Sequence, residues 1–147
     1  MPTNPSNNLP LFTYGTLMVP EVLEHVIGIE LEQNFASLLN YQRYFVRSKV
    51  YPGIVIEKNA EISGILYYGI TNPNWEKLDF FEGDEYERIV VEVILENLKK
   101  QAANLYLFKK SLQSRLTSRI WKPQSIDATR FKNVSSNSFD ESYLNPI

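Results

Sequence analysis

Ile89-Val-Val-Glu-Val-Ile-Leu-Glu96 and Asn104-Leu-Tyr-Leu-Phe108 stand on either side of a polar turn at 97–101. In the first segment Glu92, Ile94 and Glu96 alternate with Val91, Val93 and Leu95, the two-residue period of a half-buried strand. The two segments read as a β-hairpin. Upstream, Ile54-Val-Ile-Glu57 and Ile62-Ser-Gly-Ile-Leu-Tyr-Tyr-Gly-Ile70 read as two more strands, joined by a turn over the polar stretch Lys58–Glu61. Tyr51-Pro-Gly53, just before them, is a turn signal. Leu9 to Tyr14 is apolar and ends at Gly15, and Phe35 to Arg47 is aromatic and leans towards strand. Hairpins dominate.

Two helices interrupt the strands. Residues 20–27 form a short one, opened by Pro20 and closed by Gly28. Residues 73–82 form the clearer one: Asn72 can cap it, Pro73 suits its first position, and Glu76 complements the positive end of its dipole. Trp75, Leu78 and Phe81 share one side, and Gly83 stands where a left-handed terminator belongs. About six strands with two or three helices give an α+β fold with a small, mixed, strongly curved, barrel-like sheet.

Composition narrows the chemistry. The 147 residues suit one domain, large enough to bury roughly two-thirds of its unfolded surface. Nine Tyr, eight Phe and two Trp favour strands and pocket walls. A net charge of −2, with no basic stripe, argues against nucleic acid as a partner. No stretch approaches the roughly 18 apolar residues of a membrane span, and residues 1–8 lack the features of a secretory signal. A cytoplasmic protein is expected. With no cysteine, disulfides, thiol nucleophiles and thiolate metal sites are excluded. The single histidine, His25, lies on the short helix and reads as a partly exposed helix residue; any Ser-His-Asp triad would have to use it. Any catalysis runs on carboxylates, hydroxyls and backbone dipoles, and no metal site is expected.

Two segments can carry such chemistry. In Phe12-Thr-Tyr-Gly-Thr-Leu-Met18 a strand runs into a glycine turn whose successive N–H groups can form an anion-binding nest. A strand-ending Tyr-Gly is also commonly just a turn. In Leu78-Asp-Phe-Phe-Glu-Gly-Asp-Glu-Tyr-Glu-Arg88 four acids, Asp79, Glu82, Asp84 and Glu85, sit among aromatics. Such a run is usually a solvated helix end. Glu82, however, falls at a helix C-terminus, where the dipole, aromatic neighbours and nearby acids all push a carboxylate's pKa upward. That is the direction a general base needs near neutral pH.

In order along the chain, Leu11-Phe-Thr-Tyr-Gly-Thr-Leu17, Tyr51-Pro-Gly-Ile-Val55, Ile62–Ile70, Trp75–Arg88, Leu105-Tyr106-Leu-Phe108 and Trp121 resemble the sequence blocks of the γ-glutamyl cyclotransferase-like superfamily. The branch resembled includes avirulence-induced proteins and γ-glutamylamine cyclotransferases. The likeness runs from about residue 10 to 122, and the order of the blocks is more specific than any one of them. It departs at Phe108, where many relatives carry Trp, and in the longer, polar tail beyond Trp121.

The resemblance implies a small mixed barrel over 9–134, with residues 1–8 flexible and 135–147 a C-terminal extension, packed or partly disordered. It implies a cofactor-independent enzyme, acyltransferase or lyase in class, that cyclises a small γ-glutamyl substrate to 5-oxoproline. Glu82 would be the general acid/base. Tyr14, Gly15, Thr16, Leu17 and Tyr106 would bind substrate, with Asp79 an exposed partner or helix-orienting group. The alternatives are a non-catalytic binding module on the same fold and a carboxylate-based γ-glutamyl hydrolase. The leaving amine and the oligomeric state are not encoded in these motifs.

Overall fold

Two long strands, β2 (Gln33–Val46) and β3 (Pro52–Tyr67), form the longest pairing in the computed structural model, which describes residues 5–123. They pair antiparallel from Gln33↔Tyr67 to Phe45↔Pro52. The other strands are β1 (Leu11–Thr13), β4 (Tyr86–Leu95), β5 (Lys100–Phe108) and β6 (Leu116–Ile120). The sheet order is β3-β1-β5-β4-β2-β6, and the β2–β3 pairing closes the first five strands into a barrel. β1 is antiparallel to β3 and parallel to β5, so the barrel is mixed. Helices α1 (Pro20–Ile27) and α2 (Asn72–Glu82) flank it. This is the α+β barrel expected from the sequence.

The interval 58–61, expected to be a turn between two strands, lies inside β3. Residues 57–60 stand opposite the single residue Asn40, so the long hairpin carries a bulge. Asn40 and Asn59 both adopt positive φ, which asparagine tolerates better than most residues, and the Asn59 N–H donates to Asn40 Oδ1 at 3.0 Å. Local polarity here bends a strand rather than ending it. The 89–96/104–108 hairpin is present as β4–β5, in register from Tyr86↔Phe108 to Ile94↔Lys100.

Alternation along the strands produces two cores. One gathers strand side chains such as Phe12, Leu38, Ile54, Leu66, Val93 and Leu105. The other joins Leu11, Tyr67, Tyr106 and Phe108 to Leu23 of α1 and to Trp75, Leu78 and Phe81 of α2. The expected apolar side of α2 is therefore its buried side. Its cap differs from expectation: Thr71 occupies the N-cap with no side-chain bond, and Asn72 Oδ1 instead accepts from Asn7 Nδ2 at 3.0 Å. Gly83 has the expected positive φ of 74°, but the chain continues there into a 3₁₀ turn, Gly83–Glu85, that swings Glu85 inward. Within the segment expected to be flexible, Ser6 bonds to Asn104, and Asn7 accepts from Trp75 Nε1 and Arg88 Nη1. The expected extension 135–147 lies outside the described residues.

β1 reaches its place only because β3 carries Gly64. A Cβ there would stand 2.1 Å from the Thr13 carbonyl oxygen and 2.7 Å from the Phe12 ring. Gly64→Ala is expected to displace β1 and cost roughly 3 kcal/mol, or prevent folding altogether. Urea denaturation checks this, and an unchanged midpoint would contradict it.

Candidate active site

At the end of β1 the Thr13 hydroxyl donates to the Ile65 carbonyl at 2.8 Å, pinning the point where the chain leaves the sheet. Residues 16–18 then make a single 3₁₀ turn, closed by Met18 N–H to Gly15 O at 2.9 Å. Gly15 is compressed against β3: a Cβ would lie 3.1 Å from the Pro52 ring. The backbone N–H groups of Gly15, Thr16 and Leu17 make no hydrogen bond to another described residue. Three successive donors are thus left on one short loop.

The last turn of α2 brings Glu82 to the same place. Glu82 and the segment Phe12–Leu17 line one cleft together with Tyr51, Pro52, Phe81, Tyr86 and Tyr106, enclosing about 430 Å³ with its open mouth. Two larger grooves, of about 1090 and 910 Å³, have mainly apolar walls, with Lys110 lining the first and Glu61 and Glu96 the second. The cleft of Glu82 combines an acid with unengaged backbone donors.

The four acids of the 79–85 run part company. Asp84 is exposed. Glu85 is 5% exposed and satisfied, accepting from the Tyr51 hydroxyl at 2.8 Å and pairing with Arg115 at 3.3 Å. Asp79 is exposed, pairs with Arg88 at 3.0 Å, and accepts from the Tyr106 hydroxyl at 2.6 Å. Asp84 and Glu82 have no donor among the described residues, and of the two only Glu82 is partly buried. Burial, with the negative charge of Asp79 one turn earlier adding to it, raises its pKa to about 8. The direction is the one the sequence suggested, with burial as the leading cause.

The aromatic wall is hydrogen-bonded internally. The Tyr14 hydroxyl donates to the Tyr106 carbonyl, Tyr86 to the Pro52 carbonyl at 2.7 Å, and Tyr51 to Glu85. Burial pushes all four phenols, Tyr106 included, above their ordinary range, so they stay protonated donors. Tyr106 thus lines the cleft as expected, with its hydroxyl proton committed to Asp79 rather than to the cavity.

Every residue proposed from sequence (Glu82, Tyr14, Gly15, Thr16, Leu17 and Tyr106) borders this one cleft. Sequence reading assigned no site role to Tyr51 or Pro52: Tyr51-Pro-Gly read as a turn and as one block of the family resemblance. It also missed Arg43, a buried β2 residue bonded to the Tyr14 carbonyl at 2.9 Å. The available signal was a charge inside an otherwise aromatic strand, Tyr41-Gln-Arg-Tyr44.

The family model described as "Gamma-glutamyl cyclotransferase, AIG2-like" matches residues 11–123. The chain belongs to this family. Among curated relatives, AIG2-like protein B of Arabidopsis thaliana is 32% identical over 97 residues, covering 65% of this chain and 56% of that protein. The chain therefore spans little over half the length of that relative. A solution structure of an Arabidopsis thaliana protein superimposes with a TM-score of 0.69 at 22% identity, covering 90% of this chain and 81% of the other. A structure titled gamma-glutamyl cyclotransferase does so with a TM-score of 0.63 at 15% identity, covering 90% and 89%. At these identities the two structures establish the AIG2-like family's barrel as the shared fold and nothing finer.

Two measurements test the electrostatics. A carboxylate whose folded pKa lies above its unfolded value, about 4.3, favours the native state below that value, and the benefit disappears as pH rises through about 8. Glu82→Gln should therefore melt at the same temperature as the parent near pH 4 and at a higher one near pH 9. By NMR, the Glu82 carboxyl should titrate near pH 8, and Asp79→Asn should lower that midpoint. An unmoved midpoint would remove Asp79 from the account.

Proposed function

We propose that the protein catalyses cyclotransfer: it folds a γ-glutamyl amide so that the α-amine attacks the γ-carbonyl, giving 5-oxoproline and a free amine. What carries this reading is one acid of pKa about 8 with no donor among the described residues, sharing a cleft with three backbone N–H groups that those residues leave unengaged.

The proton affinities match. An α-ammonium loses its proton with a pKa of about 8 or above, and an ordinary glutamate, near 4.3, is too weak a base to take it efficiently. Glu82, raised to about 8, can exchange that proton with little penalty in either direction. The freed nitrogen attacks the γ-carbon, forming the ring C–N bond while the carbonyl oxygen gains negative charge. The N–H groups of Gly15, Thr16 and Leu17 suit that oxygen or the substrate's carboxylate. As the second C–N bond breaks, Glu82 returns its proton to the departing nitrogen. The other proton leaving the ring nitrogen ends on the released amine, so the products are a neutral lactam and an ammonium ion. Nucleophile and electrophile belong to one molecule, and holding them in the reactive geometry is worth on the order of 7–11 kcal/mol.

A panel of γ-glutamyl amides and γ-glutamyl amino acids, with products identified by mass spectrometry, tests the reading. 5-Oxoproline is expected from the parent, and Glu82→Gln should lose turnover by roughly 100-fold or more while remaining folded. Free glutamate as the primary product would mean attack by water, hence a hydrolase. Binding of γ-glutamyl compounds with no product from any of them would mean a binding module. Comparable rates for parent and Glu82→Gln would remove the acid from the mechanism.

A further inference from the structure

Arg43 is 6% exposed, and no carboxylate lies within ion-pair distance of it among the described residues. Its Nη1 donates to the Tyr14 carbonyl at 2.9 Å and to the Ser63 carbonyl at 3.1 Å, and lies 3.7 Å from Met18 Sδ. The guanidinium carbon lies 5.6 Å from the centre of the Trp121 ring. Nε is buried with no acceptor. Burial lowers the pKa of the group only to about 10, so it carries its charge at neutral pH. An ion buried without a counter-ion costs several kcal/mol, and an apolar side chain of similar volume is often the more stable choice. Packing alone does not explain an arginine here.

The charge is applied to one peptide unit. In a trans peptide the C=O and N–H point to opposite sides. The Tyr14 carbonyl is turned towards Arg43, which is not part of the cleft wall, so the N–H of Gly15 in that same peptide is turned the other way. A cation on the carbonyl also polarises the peptide and makes its N–H a stronger donor. We infer that Arg43 is a positioning residue of the cleft: it fixes and polarises the Tyr14–Gly15 peptide, and an anionic group of the ligand at the Gly15 amide is the counter-ion that β2 lacks. The identity of that anion rests on the cyclotransferase reading; the arrangement itself does not.

Parent, Arg43→Lys and Arg43→Met are compared in steady-state kinetics of 5-oxoproline release and in NMR titrations of the Gly15 and Thr16 amides with 5-oxoproline. Arg43→Met should lose roughly 100-fold in kcat, comparable to the loss of one oxyanion donor. KM should change less than kcat, and the ionisation of Glu82 seen in the pH–rate profile should stay in place. Arg43→Lys keeps the charge and should recover about a tenth to a third of the parent rate, on the same scale. In the titration the parent's Gly15 amide should move and that of Arg43→Met should not. A folded Arg43→Met within threefold of the parent in kcat overturns the inference, as does equal loss in Lys and Met. Should Arg43→Met fail to fold, Arg43→Lys decides: full activity with an unmoved Gly15 amide overturns it, and partial activity with a displaced amide supports it. A parent that makes no 5-oxoproline from any substrate removes the cyclotransferase reading instead. The amide titration, repeated with glutarate, then judges Arg43: equal shifts in parent and variant overturn its role, and loss of the shift in the variant supports it.

Discussion

β1 is three residues long, and its hydrogen-bonded pairing with β3 depends on an unusually close contact between the two backbones. On one side Gly64 lets it settle against β3 with no room for a further carbon; on the other it meets β5 at Leu11↔Asn104. The exit at Thr13 is pinned to Ile65, so the loop from Tyr14 to Leu17 starts from a fixed point and direction. The same β3 supplies Pro52 against Gly15. A strand that moved by even a fraction of an ångström would carry the backbone donors with it. The close approach of two backbones is thus what makes a loop of ordinary residues a site.

The second determinant is selective neglect of one acid. Glu82 and Glu85 are three residues apart and share a helix end, yet the fold treats them oppositely. Glu85 receives a phenol and a guanidinium, as a buried carboxylate ordinarily requires. Glu82 receives neither, and the like charge that acts on it, Asp79, is held in place by Arg88 and Tyr106. The 3₁₀ turn at Gly83 makes the difference by rotating the chain between the two side chains.

Much of this was legible in the sequence, for reasons that can be named. β4 over Val91–Leu95 and α2 declare themselves through period-two and period-three-to-four patterns, whereas β5, buried on both faces from Ala103 to Tyr106, is legible only as an apolar return strand. The interval Lys58–Glu61 misled because polar residues at a bulge look like polar residues at a turn; which it is depends on the pairing of Asn40, far away in the chain. Asn72 was a sound cap by type, but Asn7 had first claim on its side chain. Glu82 stood out because its charge opposed the helix dipole. Arg43 could not be recognised as buried, since nothing local says that its neighbours Gln42 and Tyr44 would leave it facing inward against Tyr14 and Trp121.

The internally bonded phenols give the cleft a direction. Tyr14, Tyr51, Tyr86 and Tyr106 spend their protons on the protein, so the wall they form meets a guest with oxygen lone pairs and ring faces, hospitable to a cation. The loop from Gly15 to Leu17, on the same cleft, contributes three unengaged N–H donors. On the cyclotransferase reading, a zwitterion in this cleft would be turned as a compass needle is, ammonium towards the phenol oxygens and carboxylate towards the amides.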